Sequence, residues 1–152
     1  MIRLLCVAIL LVMAFSVSAQ EKPVLPLTFD HVALSVKDLD RSAAFYANVL
    51  GLNEIANRSE VEGLRWFSLG NGKELHLISV VSAPVSTNKA VHLALTTPQF
   101  DIFVQNLDQS GVEYLDWEGD SGKISVRADG IRQLYMQDVD GYWIEVNSVA
   151  SD

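Results

Sequence analysis

His31-Val32-Ala33-Leu34-Ser35 returns further along the chain as His92-Leu93-Ala94-Leu95-Thr96. In both copies the residues alternate in character with period two, as expected of a strand with one buried face. Around the first copy the alternation runs from Leu27 to Val36, placing Phe29, His31, Ala33 and Ser35 on one face and Asp30, Val32, Leu34 and Val36 on the other. Asp38 or Asp40 then suits the cap of a helix. Leu39, Ala43, Tyr46 and Leu50 recur at helical spacing, Phe45 and Val49 widen the stripe, and Gly51 suits the stop. Strands are predicted at Leu52 to Asn57, Leu64 to Leu69 and Glu74 to Val81, with Asn71-Gly72 as a tight hairpin turn between the last two.

Around the second copy the same order follows. A strand spans Ala90 to Thr96, Pro98 fits the first turn of a helix, Phe100, Phe103, Val104 and Leu107 form its stripe, and Gly111 closes it. Strands are predicted near Val112 to Trp117, Ile124 to Arg127, Gln133 to Asp138 and Trp143 to Asn147, with Asp140-Gly141 in a hairpin turn. The chain is therefore read as α+β, a βαβββ unit written twice. An open curved sheet cannot cover both of its faces alone, so the units are expected to pair.

The full chain has 152 residues, enough for one domain with a modest core. Residues 1–19 read as a secretory signal: Arg3, an apolar run from Leu4 to Phe15, then Val17 and Ala19 where a signal peptidase needs small residues. The run is short for a span of ~30 Å of hydrocarbon. The expected product starts near Gln20, is periplasmic or secreted, and has no membrane attachment once cleaved. The sole cysteine, Cys6, leaves with the signal, so no disulfide is expected despite an oxidising destination. The formal charge of −8 becomes −9 without Arg3, an acidic balance that argues against nucleic acid as a partner. After residues 20–27 as a lead-in, a single domain is expected over 28–150, its two modules covering about 28–82 and 89–148.

The chain has three histidines, His31, His76 and His92, and each falls on a predicted strand. His31 and His92 are equivalent positions of the repeat. His76, in Glu74-Leu75-His76-Leu77-Ile78, lies in the fourth strand of the first unit, and its counterpart in Tyr142-Trp143-Ile144-Glu145-Val146 is Glu145. A lone strand histidine is more often a hydrogen-bonded packing residue than a ligand. Two repeat-related pairs made of three imidazoles and one carboxylate bring a divalent ion of the zinc, iron, nickel, cobalt or manganese type level with that plainer reading. Glu74 shares its strand face with His76 and competes with it for the same role. Arg65, Trp66, Arg132 and Tyr135 are candidates for lining a pocket or binding an anion, with strand surface and core packing as the plainer reading of each. No glycine-rich phosphate loop is present.

His31-Val32-Ala33-Leu34-Ser35-Val36, Asp38-Leu39-Asp40-Arg41-Ser42, Phe45-Tyr46 and Leu50-Gly51-Leu52 together resemble the opening of vicinal oxygen chelate proteins, the glyoxalase, bleomycin resistance and dioxygenase superfamily. Asp138-Val139-Asp140-Gly141-Tyr142-Trp143-Ile144-Glu145 is similar to that family's closing motif, which usually has proline where Val139 stands and often asparagine where Tyr142 stands. The resemblance covers about residues 28 to 148. It implies two βαβββ modules curving as a cup-shaped mixed sheet around one divalent metal. The implied ligands are His31, His76, His92 and Glu145, with the frame around His76 favouring it over Glu74. It also implies a homodimer, with His31 and His76 from one chain facing His92 and Glu145 of the other.

The implied activity is that of a glyoxalase-like metalloenzyme, with lyase or isomerase chemistry of the lactoylglutathione lyase kind on a small oxygen-rich molecule. Glu145 would be both ligand and proton-transfer residue. Two other readings stand beside it: a non-catalytic protein that binds or sequesters a small molecule, and a ring-cleaving dioxygenase. Export fits poorly with a cytosolic thiol adduct as substrate.

Overall fold

The computed structural model describes residues 26–80 and 85–149. The export signal read at residues 1–19 lies outside them, as does most of the lead-in. No helix among the described residues is long and apolar enough to cross a membrane.

The first module runs β1 (His31–Ser35), α1 (Leu39–Asn48), β2 (Glu54–Ile55), β3 (Leu64–Gly70) and β4 (Lys73–Ile78). The second runs β5 (His92–Thr97), α2 (Phe100–Ser110), β6 (Ser125–Val126), β7 (Arg132–Gln137) and β8 (Trp143–Ser148). The two sheets have identical topology, β1-β4-β3-β2 and β5-β8-β7-β6. In each, the first strand lies parallel to the fourth and the remaining pairs are antiparallel. This is the duplicated βαβββ unit, and the glyoxalase-like α+β fold.

Local chemistry sets the boundaries. The Asp38 carboxylate accepts from the Arg41 backbone N–H at 3.0 Å and starts α1, as its type and position predict. Asn71 and Gly72 sit at φ 50° and 70°, the backbone of a type I′ turn, and so join β3 to β4 by two residues. Strand β1 is shorter than its alternation. It pairs with β4 from His31 opposite Glu74, with the Glu74 N–H donating to the Asp30 carbonyl at 3.3 Å; beyond Lys73 the partner strand turns away, so residues 27–29 have no ladder to join. The strand expected over Val112 to Trp117 is reduced to isolated bridges from Leu115 to Ser121 and Tyr135. There the Asp116 carboxylate accepts from the backbone of Gly119 and Asp120, both at 2.8 Å, and folds the chain back.

One face of each sheet packs on its helix. Leu34, Phe67, Leu75 and Leu77 meet Ala43 and Tyr46 of α1, and Leu134, Met136, Ile144 and Val146 belong to the same buried cluster as Phe100 and Leu107 of α2. Each large apolar side chain so enclosed contributes roughly 1.5–3 kcal/mol. A second set of contacts ties the modules together. Tyr46 donates to Asp138 at 2.7 Å, Ser42 to Asp140 at 2.6 Å, the Lys37 backbone to Asp140 at 3.0 Å, and Tyr142 to the Ser35 carbonyl at 2.8 Å. The aspartates of the closing motif thus shape a turn and also bind the other module.

Candidate metal centre

Period two leaves the opposite face of each sheet for a different set of side chains. In the second module β5 and β8 place His92 opposite Trp143 and Ala94 opposite Glu145. His92 Nδ1 lies 2.8 Å from the Lys89 carbonyl, which can only accept, so Nδ1 carries the proton. In the neutral ring Nε2 is then a lone pair, and it faces Glu145 Oε2 at 3.1 Å. Two acceptors so placed accommodate a proton or a metal cation between them. Donors bound to one ion at 2.0–2.2 Å lie about 3 Å apart, so the pair fits a divalent metal.

Glu145 is held by neutral donors. Its Oε2 accepts from the Tyr135 hydroxyl at 2.5 Å and its Oε1 from Asn147 at 2.6 Å, while Gln133 donates to the Tyr135 oxygen at 2.9 Å. Burial, and then the bond to Glu145, pushes the Tyr135 phenol well above its ordinary range, so it stays a donor. Among the described residues the only ion-pair partner of Glu145 is His92.

The first module repeats this register: His31 lies opposite Glu74, and Ala33 opposite His76. His76 is therefore the positional counterpart of Glu145, and Glu74 that of Trp143. The ring of His76 is stacked between His31 (centroids 4.3 Å apart) and Trp66 (4.0 Å), with the Arg58 guanidinium 4.8 Å above the indole. Glu74 accepts from His76 Nε2 at 2.9 Å and from Arg58 at 2.6 Å, bonds that hold its carboxyl below the usual range. Nε2 of His76 is thus the protonated nitrogen and Nδ1 the open one. His31 Nδ1 bonds Asp30 at 2.8 Å, which lowers the Asp30 carboxyl and leaves Nε2 open.

Each imidazole thus has one nitrogen engaged by an acceptor and the other turned away from it. This is how proteins orient ligating histidines. The chain brings its four candidate side chains together in pairs, His31 with His76 and His92 with Glu145. Among the described residues it gathers no three His, Cys, Asp or Glu side chains around one point.

Of the other candidates, Trp66 is on this face and stacks on His76. Arg65 is not: it bonds Glu54 and Asp40. Arg132 clamps Asp101 of α2 at 2.7 and 3.1 Å, and Tyr135 serves Glu145. Asn147 and Lys89 were not foreseen. Asn147 stands two residues beyond Glu145, a spacing that puts both on one strand face. Lys89 carries no such signal, because its contact with His92 is made by its backbone carbonyl. A cleft of about 430 Å³ between the modules has Val32, Leu34, Val91, Leu93 and Trp143 among its walls, together with His92.

Comparison with known proteins agrees with this fold. The chain is 28% identical over 122 residues to the protein YwbC of Bacillus subtilis (strain 168), covering 76% of this chain and 93% of that one. It is 23% identical over 125 residues to Glyoxylase I 4 of Arabidopsis thaliana, covering 78% and 69%. A crystal structure of a putative glyoxalase family protein from Bacillus anthracis superposes with a TM-score of 0.67 at 25% identity, over 84% of this chain and 98% of that one. The family model of the Glyoxalase/Bleomycin resistance protein/Dioxygenase superfamily matches residues 28–146, and the chain belongs to that superfamily.

Proposed function

We propose that this chain is a metal-dependent enzyme of the glyoxalase type, acting on a small molecule with adjacent oxygens. In this reading two copies complete each centre, one contributing His31 and His76 and the other His92 and Glu145. The observation that carries it is the orientation of the three imidazoles, each fixed by a bond at one nitrogen, with His92 Nε2 set against the Glu145 carboxylate at 3.1 Å. The likeness to Glyoxylase I 4 supports the reaction class.

A divalent ion at such a site supplies Lewis-acid polarisation of a substrate oxygen. The chain supplies the rest. Glu145 is the proton carrier, and Tyr135 and Asn147 fix the direction of its two oxygens. Tyr135 remains protonated and keeps its bond to the carboxylate, the group placed to exchange a proton with a bound molecule. We infer export from residues 1–19, so the test uses the chain from Gln20 to Asp152.

Elemental analysis of that untagged protein, purified without chelator, is expected to find about one metal equivalent per chain. Separate His31→Ala and His92→Ala variants are each expected to lose it while retaining the far-ultraviolet spectrum of the fold. If the protein stays metal-free after incubation with zinc, nickel, manganese and iron(II), the enzyme reading fails and a small-molecule binding protein takes its place.

A further inference from the structure

Lys89 lies in the connection between the modules, three residues before His92. The turn there is closed by Val91 N–H to the Asn88 carbonyl at 2.9 Å and Ala90 N–H to the Asn88 side chain at 3.0 Å. The Lys89 carbonyl takes the His92 Nδ1 proton at 2.8 Å. The other end of the residue is anchored too. Its ammonium donates to the Asp116 carbonyl at 3.1 Å and to the Trp117 carbonyl. It also sits 5.2 Å from the ring centre of Trp117, 5.6 Å from Tyr135 and 5.8 Å from Trp143, a three-sided aromatic cage. A cation at these distances is attracted to the faces of all three rings. Tyr135 belongs to the Glu145 network and Trp143 stands opposite His92 in the sheet, so cage and site share their walls.

We propose that Lys89 is a positioning residue for His92. Its caged ammonium fixes the turn whose carbonyl holds the Nδ1 proton, and so makes Nε2 the nitrogen presented to an ion. A lysine is suited to this because one residue spans both jobs: the long stem carries the charge into the cage while the backbone stays beside the imidazole. The importance for metal binding rests on the function proposed above; the geometric claim does not.

The two can be tested apart. In ¹⁵N-labelled, metal-free protein at about pH 8.5, above the ordinary imidazole range, His92 is expected as the Nδ1–H tautomer. Lys89→Met removes the charge but keeps the stem, and is expected to yield a mixture of tautomers with zinc affinity reduced about ten- to a hundredfold. Lys89→Arg, which keeps a cation and its donors, should restore both. Trp117→Leu, which removes one wall, should shift the tautomer the same way by less, and supplies the test if Lys89→Met does not fold. Lys123→Met, a lysine paired with Asp120 elsewhere on the surface, should change nothing. The inference is overturned if Lys89→Met and Trp117→Leu keep the wild-type tautomer, or if Lys123→Met disturbs it equally. If the wild type binds none of zinc, nickel, manganese and iron(II) yet Lys89→Met scrambles the tautomer, the metal reading falls and the positioning role stands.

Discussion

Glu145 shows what one residue position can require of its neighbours. A carboxylate 8% exposed, with neutral donors at both oxygens, depends on those donors staying in place. Tyr135→Phe deletes the bond to Oε2 and also leaves Gln133 without its acceptor. Bonds to charged groups are worth about 1.5–3 kcal/mol, and urea denaturation of the metal-free variant is expected to show a loss in that range. A loss below about 0.5 kcal/mol would mean that water replaces the hydroxyl and that the network is not closed. At this scale the sequence singled out side chains that the sheets bring into pairs and was silent about which atoms meet. Repeat symmetry picked out His31, His76, His92 and Glu145, and strand register makes His76 rather than Glu74 the counterpart of Glu145. The protonated nitrogen of each ring depends on Asp30, Glu74 and a backbone carbonyl. Of these only Glu74 had been weighed at all, and then as a rival ligand.

Among the elements, what could be read in advance was governed by local rules. Asp38 as a cap, the stripes of α1 and α2 and the Asn71-Gly72 turn follow from residue type within a few positions. Gly111 ends α2 at φ 65°, and a Cβ added there would meet nothing within 4 Å. Gly111→Ala is therefore a purely conformational change. It is expected to destabilise by about 1–2 kcal/mol in thermal or urea unfolding, with no change in metal content. The segment from Val112 to Trp117 was misread because its apolar alternation was weighed without the Asp116 side chain. Two backbone N–H groups captured by one carboxylate outcompete a ladder that had a partner only at Leu115. The short strands β2 and β6 show the same limit, since pairing at a sheet edge depends on what lies alongside.

Across the whole molecule, the modules are joined by side chains whose long-range partners no local pattern announces. Tyr46 read as one more residue of a helical stripe, yet its hydroxyl bonds Asp138 in the other module. Burial raises the Asp138 carboxyl above its usual value, although bonds from Tyr46 and from the Tyr142 and Asp140 backbone pull it down. A folded-state pKa above the unfolded one means the native protein binds the proton more tightly. The stability from this group is then complete below the ordinary aspartate value and is lost as pH rises through the raised one. Asp138→Asn removes that dependence while keeping an acceptor for the turn. The slope of unfolding free energy against pH, measured from about pH 3 to 7, should therefore be more positive in the variant than in the wild type. Equal slopes would show that Asp138 titrates alike in both states.

The division of donors between two sheets has a consequence for how tightly an ion can be held. If two copies complete the centre, as proposed above, it would have no affinity constant of its own, because the site would exist only to the extent that the copies meet. Metal retention would then depend on how concentrated the protein is: dilution would strip the ion as a chelator does, and added ion would draw the copies together.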